Sequence, residues 1–549
     1  MDKNLLNLKN IIEEKVFLSK KNAKIANDTG REIDWVFDFR KILFDVEILN
    51  QISNLFLEKL KDLPKFQIGG LETASIPIIT SVILNSNKNI SGFYVRKSRE
   101  KNDLQNMTEG NLTGEPIVLV DDLMNRSLGF IRQIEVLESL GKKVIAVCTI
   151  LRFRDISYYK YLNDKGIKIF SLFTLEDFKD TLGTSLLENK IKESPDFPFK
   201  INWQVKIPNP AYLYVVPKSA PIIDESFIYF GSDSGNFWAL NQETGKEVWR
   251  FKILGFGANG KTIFSSPTLY KEFVYFGAYD GNFYALNKET GKKKWIFMEA
   301  DWIGSSPAIA EDLGLIYVGL EFGFWKKRGG IVALNAETGK KKWECKFDGL
   351  THSSPAYYKK NKFVVIGSND GGVYCFKAKT GEMIWKFQTG GEVKASFDFD
   401  EKKELVTFGS HDGKLYILKV KTGEVVHTYD TGMVIYSSPL IYDNKVFFAS
   451  LNKFIYCIDL NNFELIWKFE TQGRIFASPI AIDGKIYIGS NDARLYEIEP
   501  QTGKNTGIFQ SVERIVNKIA YNEKTKRFFV PTFANEIYCL SKTVKDVDI

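Results

Sequence analysis

A unit of roughly 40–48 residues repeats from about residue 199 to the end of this 549-residue chain. The typical copy opens with two small residues and a proline. It continues through a hairpin with glycine at its turn, and ends in a Thr-Gly turn followed by a strand that contains tryptophan. One such unit cannot bury its faces alone, so neighbouring copies must pack side by side. The period therefore predicts an all-β propeller over residues 199–549.

The offset between the copies predicts how this propeller closes. Eight opening tripeptides and eight hairpins follow one another, but only seven strands of the tryptophan type come after a hairpin. The eighth such strand, residues 201–207 with Trp203, precedes the first hairpin. Pairing of this strand with the last hairpin would join the two ends of the domain in one blade and leave no open sheet edge. We therefore predict eight blades, closed by residues 201–207.

The repeat resembles that of propellers of the pyrroloquinoline quinone (PQQ) type. Residues 285–295, for example, read Ala-Leu-Asn-Lys-Glu-Thr-Gly-Lys-Lys-Lys-Trp. The resemblance implies that this motif is structural and docks one blade against the next. Quinone dehydrogenases of the family also use an adjacent cysteine pair, which this sequence lacks, so we expect no PQQ. We expect instead a scaffold that binds a protein partner; Trp325, beside basic residues in the third blade, is a candidate contact, although a long hairpin loop explains it equally well.

Strands and helices alternate in the first 198 residues. Short apolar runs at residues 66–70, 90–95, 117–120, 143–151 and 168–172 alternate with helical patterns at 76–84, 132–140 and 157–165. This alternation predicts a parallel sheet with helices on both faces, and sites in such folds lie at the carboxyl ends of the strands. Four prolines in residues 193–210 indicate a stiff connection to the propeller.

Residues 117–129, Ile-Val-Leu-Val-Asp-Asp-Leu-Met-Asn-Arg-Ser-Leu-Gly, place two acids after a buried strand. This stretch resembles the strand, loop and helix with which type I phosphoribosyltransferases bind phosphoribosyl pyrophosphate (PRPP). Further segments resemble orotate phosphoribosyltransferase in the same order: residues 17–19 and 35–40 its opening strands, 69–77 its pyrophosphate loop, 94–97 with the polar run to Gly114 its mobile catalytic loop, and 151–154 and 166–178 its closing segments. The resemblance implies a type I phosphoribosyltransferase-like α/β domain over residues 1–198.

The resemblance also implies roles for particular residues. Asp121 and Asp122 would hydrogen-bond the ribose hydroxyls and help to order Mg²⁺, unless they merely cap the following helix. Arg96 and Lys97 would face the pyrophosphate, unless they are simply solvated. The remaining expected ligand-binding residues are Gly70 and Glu72 in the pyrophosphate loop, Asn125, Arg126, Ser127, Leu128 and Gly129 around the 5′-phosphate, and Arg154 at the base.

Three features of the domain depart from the family pattern. Ser127 replaces a glycine and Leu128 removes a hydroxyl, so their side chains are expected to take up space near the phosphate. The domain has no histidine, and Ala74 and Ser75 stand where glycine is usual. Three hypotheses remain: a domain that binds a phosphoribosyl or nucleotide ligand without turnover, a working phosphoribosyltransferase for orotate or another base, and a scaffold in which both domains bind only protein.

Composition limits the partners. The net charge of +7 is mild and spread along the chain, so nucleic acid is not an expected partner. No apolar run reaches about 18 residues, so we expect no membrane contact. The five cysteines are far apart in apolar runs, which favours a reducing, cytoplasmic setting. The family resemblance further implies a homodimer.

Overall fold

The computed structural model describes residues 3–19, 35–86, 90–96, 107–182, 197–207, 219–255, 262–323 and 327–543. The chain divides into two compact units, Met1–Pro195 and Asp196–Ile549. Lys97, Trp325 and Lys326 lie outside the described residues, as do residues 193–196 and 208–210 of the proline-containing connection. In the part of the chain that is described, no helix combines the length and the apolar character needed to cross a membrane.

The first unit is an α/β domain. Its elements are α1 (Lys3–Ile11), a π-helical turn (Ile12–Val16), β1 (Phe17–Ser19), β2 (Trp35–Phe37), a 3-10 turn (Phe39–Lys41), α2 (Val46–Leu60), β3 (Gln67–Gly70), α3 (Ser75–Asn85), β4 (Tyr94–Val95), β5 (Thr108–Glu109), β6 (Ile117–Met124), α4 (Leu128–Ser139), β7 (Val144–Arg152), a 3-10 turn (Ile156–Tyr158), α5 (Lys160–Asp164), β8 (Lys168–Thr174), a 3-10 turn (Leu175–Phe178) and α6 (Lys179–Leu182).

A parallel sheet in the order β3-β6-β7-β8 forms the centre of this domain. β4 joins it beside β3 through parallel bridges, one of which pairs Leu71 with Val95. Residues 117–120 of β6 are fully buried, because helices cover both faces of the sheet and leave its central strand no contact with water. The predicted phosphoribosyltransferase-like α/β fold is confirmed.

Two predicted boundaries at the centre of this domain are wrong. β6 does not end at Val120 but continues through Asp121 and Asp122 to Met124, since β7 pairs with it along that whole length. α4 begins at Leu128 rather than at residue 132, because Leu128 and Phe130 are buried and extend the apolar face of the helix. The predicted helix at 157–165 is divided into a 3-10 turn and the short helix α5.

The second unit is a ring of eight four-stranded antiparallel sheets, which confirms the predicted eight-bladed propeller. Blade by blade, the strands are β10 (Ile222–Ile223), β11 (Phe227–Gly231), β12 (Asn236–Asn241) and β13 (Glu247–Lys252); β14 (Thr268–Tyr270), β15 (Phe273–Gly277), β16 (Phe283–Asn287) and β17 (Lys293–Phe297); β18 (Ala308–Ala310), β19 (Leu315–Phe322), β20 (Arg328–Asn335) and β21 (Lys341–Phe347); β22 (Ala356–Tyr358), β23 (Phe363–Gly367), β24 (Gly372–Lys377) and β25 (Met383–Gln388); β26 (Asp398–Asp400), β27 (Leu405–Gly409), β28 (Lys414–Lys419) and β29 (Val425–Asp430); β30 (Leu440–Tyr442), β31 (Lys445–Ala449), β32 (Phe454–Asp459) and β33 (Leu465–Glu470); β34 (Ile480–Ile482), β35 (Lys485–Gly489), β36 (Arg494–Ile498) and β37 (Asn505–Gln510); and β38 (Ala520–Asn522), β39 (Arg527–Pro531), β40 (Glu536–Lys542) and β9 (Phe199–Lys206).

Tryptophans on the outer strands hold neighbouring blades together. The indole N–H of Trp295 donates to the Ala336 carbonyl of the next blade at 3.1 Å. Its ring covers Gly339, where a Cβ would lie 2.7 Å from the indole and where φ is +70°. The Thr-Gly turn thus needs glycine twice, for its backbone conformation and for the close approach of the ring. The same contact recurs at Trp203, Trp249, Trp343, Trp385 and Trp467.

Two blade junctions are built differently. On the fifth blade His427 occupies the tryptophan position and stacks on Phe463 of the sixth, with ring centroids 5.2 Å apart. On the seventh blade the position is Gly507, where a Cβ would lie 2.9 Å from Cγ of Pro198. The seventh blade is therefore packed by the segment that leads into the closing strand β9.

Candidate functional site

The carboxyl edge of the parallel sheet gathers most of the predicted site residues. Gly70 at the end of β3 pairs in register with Val120, directly before the two acids of β6. The backbone N–H of Glu72 donates to the Val95 carbonyl at 3.0 Å, which places the segment after β3 beside the end of β4. These residues lie up to about 50 positions apart in the sequence. The parallel pairing of the strands brings them together at one edge of the sheet.

Asp121 and Asp122 lie within strand β6, and both are half-buried. The N–H of Asp122 donates to Oδ1 of Asp121 at 3.0 Å. Burial raises the pKa of Asp122, while hydrogen bonds from Asp121 and from backbone N–H groups and the charge of Arg40 act in the opposite direction. The N-cap of α4 is Ser127, so the alternative that these acids cap the helix is wrong.

Asp122→Asn is expected to raise the unfolding midpoint of this domain at neutral pH. Since the pKa of Asp122 is raised above its ordinary 3.8, ionisation is less favourable in the folded state than in the unfolded chain. The destabilisation is therefore present above the native pKa and disappears as the pH falls below 3.8. The neutral amide of asparagine removes this destabilisation. Each kcal/mol gained in the free energy of unfolding should raise the unfolding midpoint by roughly 2–4 °C.

Scanning calorimetry of the full chain across a pH series would measure this effect. The matched control is Asp62→Asn, which removes an exposed carboxylate from the same domain. The gain for Asp122→Asn should shrink as the pH is lowered, and the control should show little change. Equal shifts for both variants, or no shift for Asp122→Asn, would contradict the argument.

The loop after β6 is short, from Asn125 to Ser127, and α4 follows at once. Ser127 has φ of +56°, and its hydroxyl donates to the Arg126 carbonyl at 2.7 Å. Ser127 and Leu128 are each only 7% exposed, so their side chains turn inward rather than across the mouth of the loop. Asn125 and Arg126 are exposed. The first backbone N–H groups of a helix lack intrahelical acceptors, so this loop offers donors of the kind that bind phosphate.

Arg154 is fixed beside this loop. Its Nε donates to Oδ1 of Asn125 at 3.3 Å, and its guanidinium lies 5.7 Å from the ring centroid of Tyr158. Buried Tyr159 accepts from the Arg154 N–H at 3.3 Å and donates to the Met124 carbonyl at 3.1 Å. The phenol thereby ties the end of β7 to the end of β6. Sequence reasoning missed Tyr159, because only the pairing of the two strands reveals its role.

The segment after β3 is tightly packed. A Cβ on Gly70 would lie 2.5 Å from Cβ of Ser75 and 2.6 Å from the Val120 carbonyl oxygen. The Ser75 hydroxyl in turn donates to the Leu71 carbonyl, and the Glu72–Thr73 peptide is cis. Only glycine allows the turn to approach the end of β6 so closely.

Comparisons with known proteins assign both units. Orotate phosphoribosyltransferase from Sulfurisphaera tokodaii is 24% identical over 191 residues, which are 34% of this chain and 95% of that protein. The enzyme of the same name from Mycobacterium tuberculosis is 24% identical over 161 residues, or 29% of this chain and 89% of its own length. The N-terminal domain is homologous to orotate phosphoribosyltransferases.

The remaining residues match two propeller families. The model described as outer membrane protein assembly factor BamB matches residues 200–344, and that of the beta-alanine-activating enzyme propeller matches residues 327–548. BamB from Moraxella catarrhalis superimposes with a TM-score of 0.50 and 14% identity, covering 63% of this chain and 98% of its own. Quinohemoprotein alcohol dehydrogenase from Comamonas testosteroni superimposes with a TM-score of 0.53 and 13% identity, covering 63% of this chain and 77% of its own. At such identities the likeness concerns the fold alone.

In the phosphoribosyltransferase-like domain, the donors present suit Mg²⁺. Asp121 and Asp122 supply adjacent carboxylates, and Mg²⁺ in such sites is held by one or two carboxylates together with substrate phosphates and water. Anywhere in the described ranges, this edge of the sheet included, no group of three or more histidine, cysteine, aspartate or glutamate side chains is arranged to hold a metal.

Two basic residues of this domain, Arg96 and Arg40, are placed differently from what the family resemblance implies. Arg96 follows β4, but its Nε donates to Oε1 of Glu109 on β5 at 2.8 Å. A pyrophosphate at this position would compete with that carboxylate. Arg40, which the sequence reasoning did not assign, lies close enough to Asp122 to lower the pKa of that carboxyl group. The sequence could have indicated Arg40, because this residue ends the segment 35–40, which resembles an opening strand of the family.

Proposed function

We propose that the phosphoribosyltransferase-like domain binds PRPP or a nucleotide-type ligand at the carboxyl edge of its sheet, and that the propeller is a scaffold for a protein partner or for regulation. The observation that carries the first part is the half-buried pair Asp121 and Asp122, followed six positions after Asp122 by the open first turn of α4. Carboxylates beside a helix N-terminus provide acceptors for ribose hydroxyls and donors for a phosphate in one short segment.

Each residue has a defined task in this proposal. Asp121 and Asp122 accept hydrogen bonds from the ribose hydroxyls and help to order Mg²⁺, which neutralises phosphate charge when bound. Backbone N–H groups at the start of α4 take the 5′-phosphate, and exposed Arg126 adds a charge-assisted contact. Arg154 faces the base or its equivalent, since Asn125 fixes it beside the loop.

The same site carries a second candidate function, an active phosphoribosyltransferase. The close-packed turn at Gly70 and the position of Arg96 after β4 favour it, because both bear on the pyrophosphate. Catalysis of this transfer rests on positioning and on neutralising the leaving pyrophosphate. The ion pair between Arg96 and Glu109 and the absence of histidine before residue 350 favour binding without rapid turnover.

Calorimetric titration of the full chain with PRPP, with and without Mg²⁺, tests the proposal. Asp121→Asn and Asp122→Asn should each weaken binding by about 10- to 100-fold, since a hydrogen bond to a charged group contributes about 1.5–3 kcal/mol. Asp62→Asn, which alters an exposed carboxylate, should leave the affinity unchanged. Wild-type protein that fails to bind PRPP would refute both candidate functions and leave the scaffold hypothesis.

Pyrophosphate release separates the two candidates. The wild-type chain is incubated with PRPP, Mg²⁺ and orotate or another nucleobase, and released pyrophosphate is measured. Binding without release from any base tested supports a ligand-binding domain. Release that Asp121→Asn abolishes supports the transferase.

The setting and partners follow as further parts of the proposal. We propose a cytoplasmic protein, because all five cysteines are free and four of them are buried, as suits a reducing compartment. We propose that the propeller acts without PQQ, since the sequence has no adjacent cysteine pair. Its partner is a protein rather than nucleic acid or a membrane, and homodimerisation through the first domain follows the family.

A further inference from the structure

The opening tripeptides of the eight blades line one cavity of about 750 Å³ in the propeller. In each tripeptide the first residue is buried and the second is half-exposed or exposed, so the second positions form a ring that faces the cavity. In six blades this position is serine, in the first blade it is Ala220, and in the eighth it is Lys518. The size is within the range of small-molecule sites, about 300–1,000 Å³.

Most of the serine hydroxyls in this ring are available as hydrogen-bond donors. Oγ of Ser306 accepts the backbone N–H of Ser266 at 2.9 Å, and Oγ of Ser354 accepts that of Ser306 at 3.0 Å. The same contact recurs at Ser266, Ser438 and Ser478. In none of these five serines does the hydroxyl hydrogen reach an acceptor among the described residues, so the ring presents donors to whatever occupies the cavity.

Lys518 stands in the eighth blade where most blades have serine, and it gives this ring a positive charge. Its side chain stands in the cavity and is exposed there. Desolvation lowers the pKa of the amine, and the charge of Asp398 acts in the opposite direction. Within the described part of the chain, no carboxylate lies at ion-pairing distance and no acceptor bonds its Nζ. An anion that enters the cavity can therefore reach the ammonium and form a charge-assisted contact with it.

The other charged groups of the cavity already have partners. His352 Nδ1 lies 3.2 Å from Glu321 Oε2, and Lys394 Nζ lies 2.7 Å from Glu392 Oε2. Asp398 is the remaining carboxylate, and its two oxygens accept the N–H groups of Phe399 at 2.9 Å and of Ile441 at 2.6 Å. Asp398 attracts the ammonium of Lys518 without forming an ion pair with it, so the donors of that ammonium remain open to an anionic ligand.

We infer that this cavity binds a small molecule with a carboxylate or phosphate group, held by Lys518 and by the hydroxyls of the serine ring. The two oxyanions share the required chemistry, a compact negative charge with several acceptor oxygens. The serine hydroxyls donate hydrogen bonds to the anion from several blades at once, and Lys518 supplies the positive charge. This site belongs to the propeller alone and does not depend on the proposed function of the first domain.

Titration of the full chain with citrate and with inorganic phosphate, at constant ionic strength, tests the inference. Both titrations are made on the parent chain and on Lys518→Met, because anion bound by the first domain is common to the two and only their difference belongs to the propeller. Lys518→Met should weaken binding at least about tenfold, the effect of losing one charge-assisted contact. Lys518→Arg should retain it, and Lys524→Met, which alters an exposed lysine of the same blade, should leave it unchanged.

Each outcome has a defined meaning. Binding of citrate alone, of phosphate alone or of both, when lost in Lys518→Met, supports the site and identifies the oxyanion. Absence of binding by both anions, or equal binding by Lys518→Met and its parent, overturns the inference. Hydrogen exchange over residues 516–519 provides a second measure, since a bound anion should slow exchange there in the parent but not in Lys518→Met. Lys518→Met itself should fold, because the side chain of Lys518 is exposed in the cavity and makes no hydrogen bond or ion pair among the described residues.

Discussion

Alanine at Trp203 is expected to destabilise the propeller by about 3 kcal/mol, the lower end of the range for replacing tryptophan by alanine, because Trp203 is half-buried. The indole N–H of Trp203 donates to the Gln242 carbonyl at 3.0 Å, and its ring covers Gly245. Trp203 pairs in register with Cys539, so it lies on the strand that joins the first part of the domain to the last. Loss of this side chain weakens both the blade junction and the closure of the ring.

Trp343→Ala is the matched control for the closure effect, since Trp343 is half-buried like Trp203. Its indole N–H donates to the Ala378 carbonyl at 2.9 Å and its ring covers Gly381, so this substitution removes the same kind of interaction. Trp343, however, lies between two blades that are continuous in sequence. Urea unfolding of the full chain, followed by circular dichroism, should show a larger decrease in stability for Trp203→Ala than for Trp343→Ala. Equal decreases would mean that closure adds nothing beyond the packing of the tryptophan.

The propeller could be predicted from sequence because its information is repeated. Each copy carries the same tripeptide, hairpin and Thr-Gly turn, and a missing landmark in one copy is supplied by the next. The unequal count of hairpins and tryptophan strands even predicted the closing strand. Junctions without the motif could not be predicted, since the stacking of His427 on Phe463 depends on two residues that resemble nothing else in the repeat.

The candidate site was predicted less completely than the propeller, for physical reasons. Residue order placed Asp121, Asn125 and Arg154 near one edge, because parallel strands align their carboxyl ends. The length of β6 could not be predicted, since two adjacent acids end an apolar pattern and only pairing with β7 shows that the strand continues. The ion pair of Arg96 with Glu109 depends on β4 and β5, which are two residues long and carry no recognisable period.

Alanine at Gly70 is expected to disrupt the candidate site and to destabilise its domain by roughly 1–3 kcal/mol, as overpacking does. Its Cβ would lie 2.6 Å from the Val120 carbonyl oxygen, and a backbone atom in a central strand has little room to move. The turn after β3 must then shift away from β6, and with it Glu72. PRPP binding should fall below detection even at temperatures where the domain remains folded.

Gly129→Ala separates this effect from a general sensitivity of the loops to an added methyl group. A Cβ on Gly129 would meet no heavy atom within 4 Å, and the residue lies in the first turn of α4. Alanine there should stabilise the helix by roughly 0.5–1 kcal/mol, since glycine is the poorer helix former. Calorimetric unfolding of both variants would measure the contrast in stability, and PRPP titration is applied to Gly70→Ala alone, because Gly129 belongs to the proposed phosphate loop. If Gly70→Ala bound PRPP as the wild type does, the turn after β3 would have no part in ligand binding, and only the acids of β6 and the loop that follows them would remain as the proposed site.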